Sequence, residues 1–533
     1  MTKAGIYLLP PKGTLIYDTT LRDGAQAEGV SFSTEDKLDI LRRLDSFGID
    51  FVEGGWPGSN PKDNVFFKLA CKEELKHTRL TAFGSTMRVE SSPEEDINIL
   101  ALLESGADWL TIFGKSWDMQ VTSALQTTLK ENLRMVEESI RYLKINGKHV
   151  IFDAEHFLDG WKKNQAYALS VIDAAVRGGA EFLVLCDTNG GSLPWEVRKA
   201  VNEVSSRFEL PVGIHAHNDG ELAVANSLAA VDAGAVMVQG TINGLGERCG
   251  NANLCSIMPN LAIKMGRELK ADRLEGLASL SSFIAEVANV IADSKLPYVG
   301  KSAFAHKGGV HVSAINRDTR TYEHIDPKLV GNTRRVLISE LSGTSSILAK
   351  LKEFGIEEEK HNGRSILDHL KQLESEGFQF EGADASFELL VRRFREQHKP
   401  HFTIEGFRIV VDVSGDEVRS DASIKVIDPN GDIEHTAADG NGPVNALDRA
   451  LRKALERFYP VLKYVRLMDY KVRVIDAKDA TAARVRVLIR STDGHDSWTT
   501  VGVSTNIIEA SLMALIDSIE YILLRSQREG EIQ

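Results

Sequence analysis

His215 and His217 stand two residues apart in "GIHAHND", and Arg22 and Asp23 are neighbours in "DTTLRDGAQAEG" (18–29). A His-x-His pair on a strand sends both imidazoles to one face, because strand side chains alternate. Two neutral imidazoles, the Asp23 carboxylate and the amide oxygen of Asn251 in "NGLGERCGNANL" make a mixed nitrogen and oxygen set that suits a divalent ion with positions left for substrate. Arg22 would then stay free to meet an anionic substrate bidentately. "FDAEHF" adds Asp153, Glu155 and His156, and "LCDTNGG" adds Asp187 and Thr188; Glu155 is a candidate acid or base and Thr188 a hydroxyl donor to a carboxylate.

These residues can only meet if distant segments share a rim. Short apolar runs recur through the first half: "GTLIYDT", "GIDFVEGG", "TRLTAFGS", "DWLTIFGK", "KHVIFDAEH", "EFLVLCDT", "LPVGIHAHND" and "AVMVQGTING". Between them lie stretches such as "TEDKLDILRRLDSFG", with apolar residues at three and four spacing, an acidic or hydroxyl start and a glycine stop. Strand-then-helix units roughly 25 to 40 residues apart predict a closed (β/α)8 TIM barrel over 12–275, and an open doubly wound sheet leaves the even spacing unexplained. Closure sets the eighth strand between the seventh and the first, so Asp23, the two histidines and Asn251 fall in one neighbourhood.

The chain divides into a barrel domain (1–280), a helical linker subdomain (281–402) and an α+β C-terminal domain (403–533). The linker carries a polar, glycine-containing segment, "SAFAHKGGVHVSAINRDTRTYEHIDPKLVGN", too long for a simple connection. The last domain contains one pattern twice, from Ala422 and from Ala483: hairpin, glycine turn, second strand, polar loop and amphipathic helix. Two β-β-α repeats predict a pseudo-symmetric domain with a ligand site between the copies, without catalytic chemistry of its own.

Bulk properties exclude other classes. Lys plus Arg total 63 against 76 Asp plus Glu, a net charge of −13, which disfavours nucleic acid. No stretch reaches the roughly 20 apolar residues of a membrane span, and "MTKAGIYLLPPKG" lacks a signal-peptide pattern, so a cytoplasmic protein is expected. Cys71, Cys186, Cys249 and Cys255 form no C-x-x-C pair and are expected to be reduced and mostly packing. "GLGERCG" departs from G-x-G-x-x-G and follows the eighth strand, not the first, which argues against dinucleotide binding.

Together "TTLRDG", "HAHND" and "GLGERCGN" resemble the metal-dependent barrel family of isopropylmalate, homocitrate and citramalate synthases and hydroxymethylglutaryl-CoA lyase. "AQAEGVSF", "EGGWPGSNPKD", "FDAEHFLDG" and "LCDTNGG" look most like the citramalate branch, and "GNGPVNALDRAL" resembles the family's regulatory domain. The resemblance implies a Claisen-type condensation of acetyl-CoA with pyruvate to citramalate and CoA, on the way to isoleucine. It implies Asp23, His215, His217 and Asn251 as ligands of Mn2+, Mg2+ or Zn2+. It sets Arg22 and Gln26 at the keto acid, Thr188 on its carboxylate, and Glu155 and His311 at the acetyl group, with the base open between those two. Tyr322 in "TYEHIDP" matches a tyrosine supplied by the linking segment, for which the resemblance favours the mouth of a partner subunit, hence a homodimer. Ser313 departs from the aspartate that relatives often carry two residues after that histidine. Isoleucine is the expected effector. The competing readings are another 2-oxo acid, as in isopropylmalate or homocitrate synthesis, acyl-CoA cleavage, and a non-catalytic effector-binding barrel.

Overall fold

The structure is a computed structural model and describes residues 13–529 apart from 272–273, 308, 338–346, 348–349, 353, 355, 357–359, 381, 396–397, 415–416 and 476–482. The reading of the first dozen residues as lacking a leader lies outside the described residues. Two compact units emerge: Met1–Phe304 with Ile325–Thr333, and Ala305–His324 with Arg334–Gln533.

The first unit is a closed barrel of eight parallel strands: β1 (Leu15–Asp18), β2 (Phe51–Gly55), β3 (Arg79–Ser85), β4 (Trp109–Lys115), β5 (His149–Glu155), β6 (Phe182–Asp187), β7 (Val212–Ala216) and β8 (Met237–Gly240). The eight apolar runs each supply one strand. Closure is made by β1 on β8, in register from Leu15 opposite Met237 to Asp18 opposite Gly240. Alternation divides the strand residues between two cores. Leu15, Tyr17, Phe51, Trp109, Phe182 and Met237 fill the interior, while Ile16, Val52, Leu110 and Val238 pack outward under the helices. Burying each such side chain stabilises by about 1.5–3 kcal/mol, which favours one register, since a one-residue slip would invert every strand.

Local signals set the helix ends. Ser33 and Asp36 form a reciprocal capping box that starts Thr34–Phe47, and Gly48 ends it at φ 96°, a conformation only glycine adopts without cost. Gly240 answers to space instead. A Cβ there would strike the Ala252 carbonyl, and the lack of one lets the loop after β8 lie flat on the barrel end.

The second unit contains a short parallel pair, β9 (Ala305–His306) with β10 (Arg335–Val336), helices including Asp384–Phe394, and two antiparallel sheets. β11 (Thr403–Ser414), β12 (Glu417–Ile427) and β13 (Ile433–Gly440) precede helix Pro443–Leu455. β14 (Arg466–Val474), β15 (Val485–Thr492) and β16 (Ser497–Ser504) precede helix Ile507–Glu529. The β-β-α pattern at Ala422 and Ala483 corresponds to the last two strands and helix of each copy, and each copy also has a leading strand, β11 or β14. Those strands escaped the pattern because residues such as Val411, Val413, Met468 and Val474 are exposed apolar positions that break the alternation. Ile424 and Val426 of β12 pack on Leu447 and Leu451, and Val487 and Ile489 of β15 share that core with Leu515 and Ile519.

Candidate active site

The ends of β1, β5, β6 and β7 deliver Arg22, Asp23, Gln26, Glu155, Thr188, His215 and His217 to one cavity of about 220 Å3 at the barrel mouth. Asp23 Oδ2 lies 3.3 Å from His215 Nε2 and 3.7 Å from His217 Nε2, and the two Nε2 atoms are 3.0 Å apart. Gln239 gives its amide N–H to Asp153 Oδ1 at 3.0 Å, so its Oε1 faces His215 Nδ1 at 2.9 Å and takes that hydrogen. His215 Nε2 therefore carries a lone pair, and both Nε2 atoms point at each other and at the Asp23 carboxylate. His217 Nδ1 meets the Thr188 carbonyl, which can only accept, at 2.8 Å and the Arg248 guanidinium, which can only donate, also at 2.8 Å. The donor set of two imidazoles and a carboxylate suits a divalent cation. Burial pushes the Asp23 carboxyl up, but the Arg22 guanidinium beside it pulls the other way, and the group lies well below the usual carboxylate range.

Asn251 arrives from the far side of the closure. The residue before it, Gly250, accepts from the Asn218 N–H at 2.8 Å, which ties the loop after β8 to the end of β7. Here Asn251 donates its amide N–H to Asp23 Oδ2 at 2.8 Å, and its amide oxygen lies where a Cβ on Gly246 would be. In this arrangement it orients the carboxylate, and a half-turn of the amide would be needed to present oxygen to an ion.

The expectation that Arg22 stays free needs correcting. Its Nε pairs with Glu53 at 2.5 Å, its Nη1 with Asp23 at 3.2 Å, and its guanidinium lies 3.8 Å over the Phe83 ring. A buried guanidinium has to be paired, and Glu53, fully buried, supplies the charge. Glu53 is itself held by the Tyr17 hydroxyl at 2.7 Å, which also meets Thr111 Oγ1 at 2.7 Å. The guanidinium that lines the cavity is thus already fixed in place, with one edge left over.

Thr188 accepts the His156 N–H at 2.8 Å, which leaves its own O–H to donate. Glu155 forms an ion pair with Lys115, its register partner on β4. Beside them Asp153 is fully enclosed. Burial and the Glu53 charge push its carboxyl well above the usual range, against the pull of Arg22 and Gln239. Phe83 and Phe113 stack at 5.4 Å, and Trp56 meets both edge-on, walling one side of the cavity. His311 and Tyr322 belong to the second unit, where their rings stack at 4.1 Å. All four cysteines are free; Cys186 and Cys255 are buried, but Cys71 and Cys249 are exposed and do not serve as packing.

Glu53, Lys115, Gln239 and the aromatic wall were not among the sequence candidates. A signal existed for two of them: a glutamate in "FVEGG" and a glutamine in "MVQG" interrupt strands whose neighbours are all buried.

Residues 14–284 match the HMGL-like family, 298–377 the homocitrate synthase post-HMGL domain-like family, and 381–523 the LeuA allosteric (dimerisation) domain. The (R)-citramalate synthase of Aquifex aeolicus is 54% identical over 521 residues, covering 97% of this chain and 98% of its own. The chain belongs to the citramalate synthase family. The (R)-citramalate synthase of Geobacter sulfurreducens is 54% identical over 517 residues, 96% of this chain and 98% of that one. Kinship extends at lower identity to the 2-isopropylmalate synthase of Methanocaldococcus jannaschii, 31% identical over 524 residues, 97% of this chain and 96% of that one. Among the described residues no helix is long and apolar enough to cross a membrane.

Proposed function

We propose that the barrel mouth joins the acetyl group of acetyl-CoA to pyruvate and that hydrolysis of the thioester releases citramalate and CoA, a step toward isoleucine. The observation that carries this reading is the convergence of Arg22, Asp23, His215 and His217 on one small cavity walled by Phe83, Phe113 and Trp56. A divalent cation held by Asp23, His215 and His217, with Asn251 beside them, would supply electron withdrawal at the keto oxygen. Thr188 donates its hydroxyl to the pyruvate carboxylate, and Gln26 offers a further polar contact at the rim. Arg22, anchored by Glu53, turns its free edge to the oxygen that gains charge as the new carbon bond forms; a donor fixed before the reaction costs no reorganisation. Removal of the acetyl proton falls to Glu155 and His311, and Glu155 must first loosen its pair with Lys115. We assign Tyr322, on resemblance, to the same half-reaction.

The three-part organisation, a catalytic barrel (1–280), a linker (281–402) and a regulatory domain (403–533) within a cytoplasmic homodimer, belongs to this reading, as does isoleucine as effector. Titrated into the full chain's assay, isoleucine should inhibit at concentrations at least tenfold below leucine or valine; equal potency of the three would remove that assignment.

The keto-acid choice is read from the wall. Release of CoA should be fastest with pyruvate and slower by at least tenfold with 2-oxoisovalerate or 2-oxoglutarate. Phe113→Ala should narrow the gap between pyruvate and 2-oxoisovalerate by about tenfold, the scale of a methylene or two in an apolar pocket. A wild-type preference for 2-oxoisovalerate would instead make this an isopropylmalate synthase.

A further inference from the structure

A second group of metal-ligating side chains lies far from the barrel in sequence. His398 and His401 occupy the turn between helix Asp384–Phe394 and β11, separated by Lys399 and Pro400, and Glu520 projects from the last helix, Ile507–Glu529. His401 Nδ1 lies 2.8 Å and His398 Nε2 3.1 Å from the same oxygen, Glu520 Oε2, and one ligating atom from each residue falls within 4.8 Å of the others. The His398 and Glu520 side chains are each 2% exposed.

Two details separate this cluster from an ordinary ion pair. His398 Nε2 is buried and makes no hydrogen bond with any described residue, although it faces a carboxylate. Leaving such a group unmatched costs about 1–3 kcal/mol, so a native fold keeps one where something else fills the gap. The carboxylate is also pre-aimed. Glu520 Oε1 accepts the His401 backbone N–H at 3.0 Å, which turns Oε2 toward the imidazoles, and the Tyr459 hydroxyl fixes the same segment by donating to the His401 carbonyl at 2.5 Å.

We propose that His398, His401 and Glu520 bind a divalent transition-metal ion of the zinc class, with water as the fourth ligand. Two imidazoles and one carboxylate are donors that zinc takes and that magnesium and calcium, which prefer all-oxygen shells, do not. The two imidazole-to-carboxylate separations are near what is needed: donors 2.0–2.1 Å from a tetrahedral ion stand about 3.3 Å apart, a few tenths of an ångström beyond these two distances. An ion in this position ties the segment entering the first sheet of the C-terminal domain to that domain's final helix. Closing so long a loop stabilises the folded domain over its unfolded chain.

The test counts zinc on the full-length protein. Chelated protein is reloaded with Zn2+, desalted and assayed by elemental analysis, using a His215→Ala/His217→Ala double variant so that the barrel cluster does not contribute. It should retain one equivalent per chain and melt at a higher temperature with zinc than without; adding His398→Ala should remove both effects and weaken zinc binding at least a hundredfold. Should the double variant fail to fold, the wild type should load two equivalents and His398→Ala one, with turnover unchanged. Zinc-free double variant of native fold, wild type holding no more than one equivalent, or His398→Ala holding as much as its parent would each mean an ion-paired triad only, and would overturn the proposal.

Discussion

Asp23→Asn should lower turnover by about a thousandfold or more and strip the barrel of its ion, while circular dichroism stays that of the parent. The substitution preserves shape and removes one negative charge from a point 3.3 and 3.7 Å from two imidazole nitrogens. His215 Nε2 faces inward as a lone pair because Gln239 takes the hydrogen on the opposite side of its ring. Without the carboxylate the cluster has only neutral donors, and the attraction for a doubly charged ion falls steeply. Electrophilic assistance of this kind amounts to several kcal/mol, and each 1.4 kcal/mol is about tenfold in rate. Elemental analysis after dialysis, with CoA release under saturating Mn2+, Mg2+ or Zn2+, checks it. A variant that keeps both ion and rate would remove Asp23 from the ligand set.

Arg22→Lys should be nearly as damaging, by about a hundred to a thousandfold in kcat, the range for losing one preorganised donor to a developing oxyanion. Charge is conserved, so the effect isolates geometry. The guanidinium reaches Glu53 through Nε and Asp23 through Nη1 while lying flat on Phe83. An ammonium is a single point with no plane and cannot satisfy Glu53 and Asp23 and still present an edge to substrate. KM for acetyl-CoA should change little, because the lost interaction belongs to the keto-acid half of the reaction. Steady-state kinetics with each substrate varied separates the two. Unaltered kcat would mean that Arg22 only balances Glu53.

Much of this site could be read in the chain before any coordinates. His-x-His at the end of an apolar run and a charged pair after another become neighbours once strand order closes on itself, and closure follows from eight evenly spaced units. The hidden layer beneath was harder. Glu53, Gln239 and Tyr17 act through bonds to residues 24 or more positions away, and no local pattern encodes a partner at that distance. Arg22 was read as free for the same reason: its counter-charge lies on a different strand. In the C-terminal domain the repeat was visible where buried residues alternate, as in β12, and invisible in β11 and β14, where apolar side chains stand exposed on the surface.

The stitch between the first and last staves also has a consequence for biogenesis. Asp23 leaves the ribosome nearly two hundred residues before His215 and waits, as an isolated carboxylate, until β8 docks against β1 and the Asn251 loop settles over β7. In a half-made chain the proposed ligands are not yet assembled, so cation loading at Asp23, His215 and His217 should await the completed barrel.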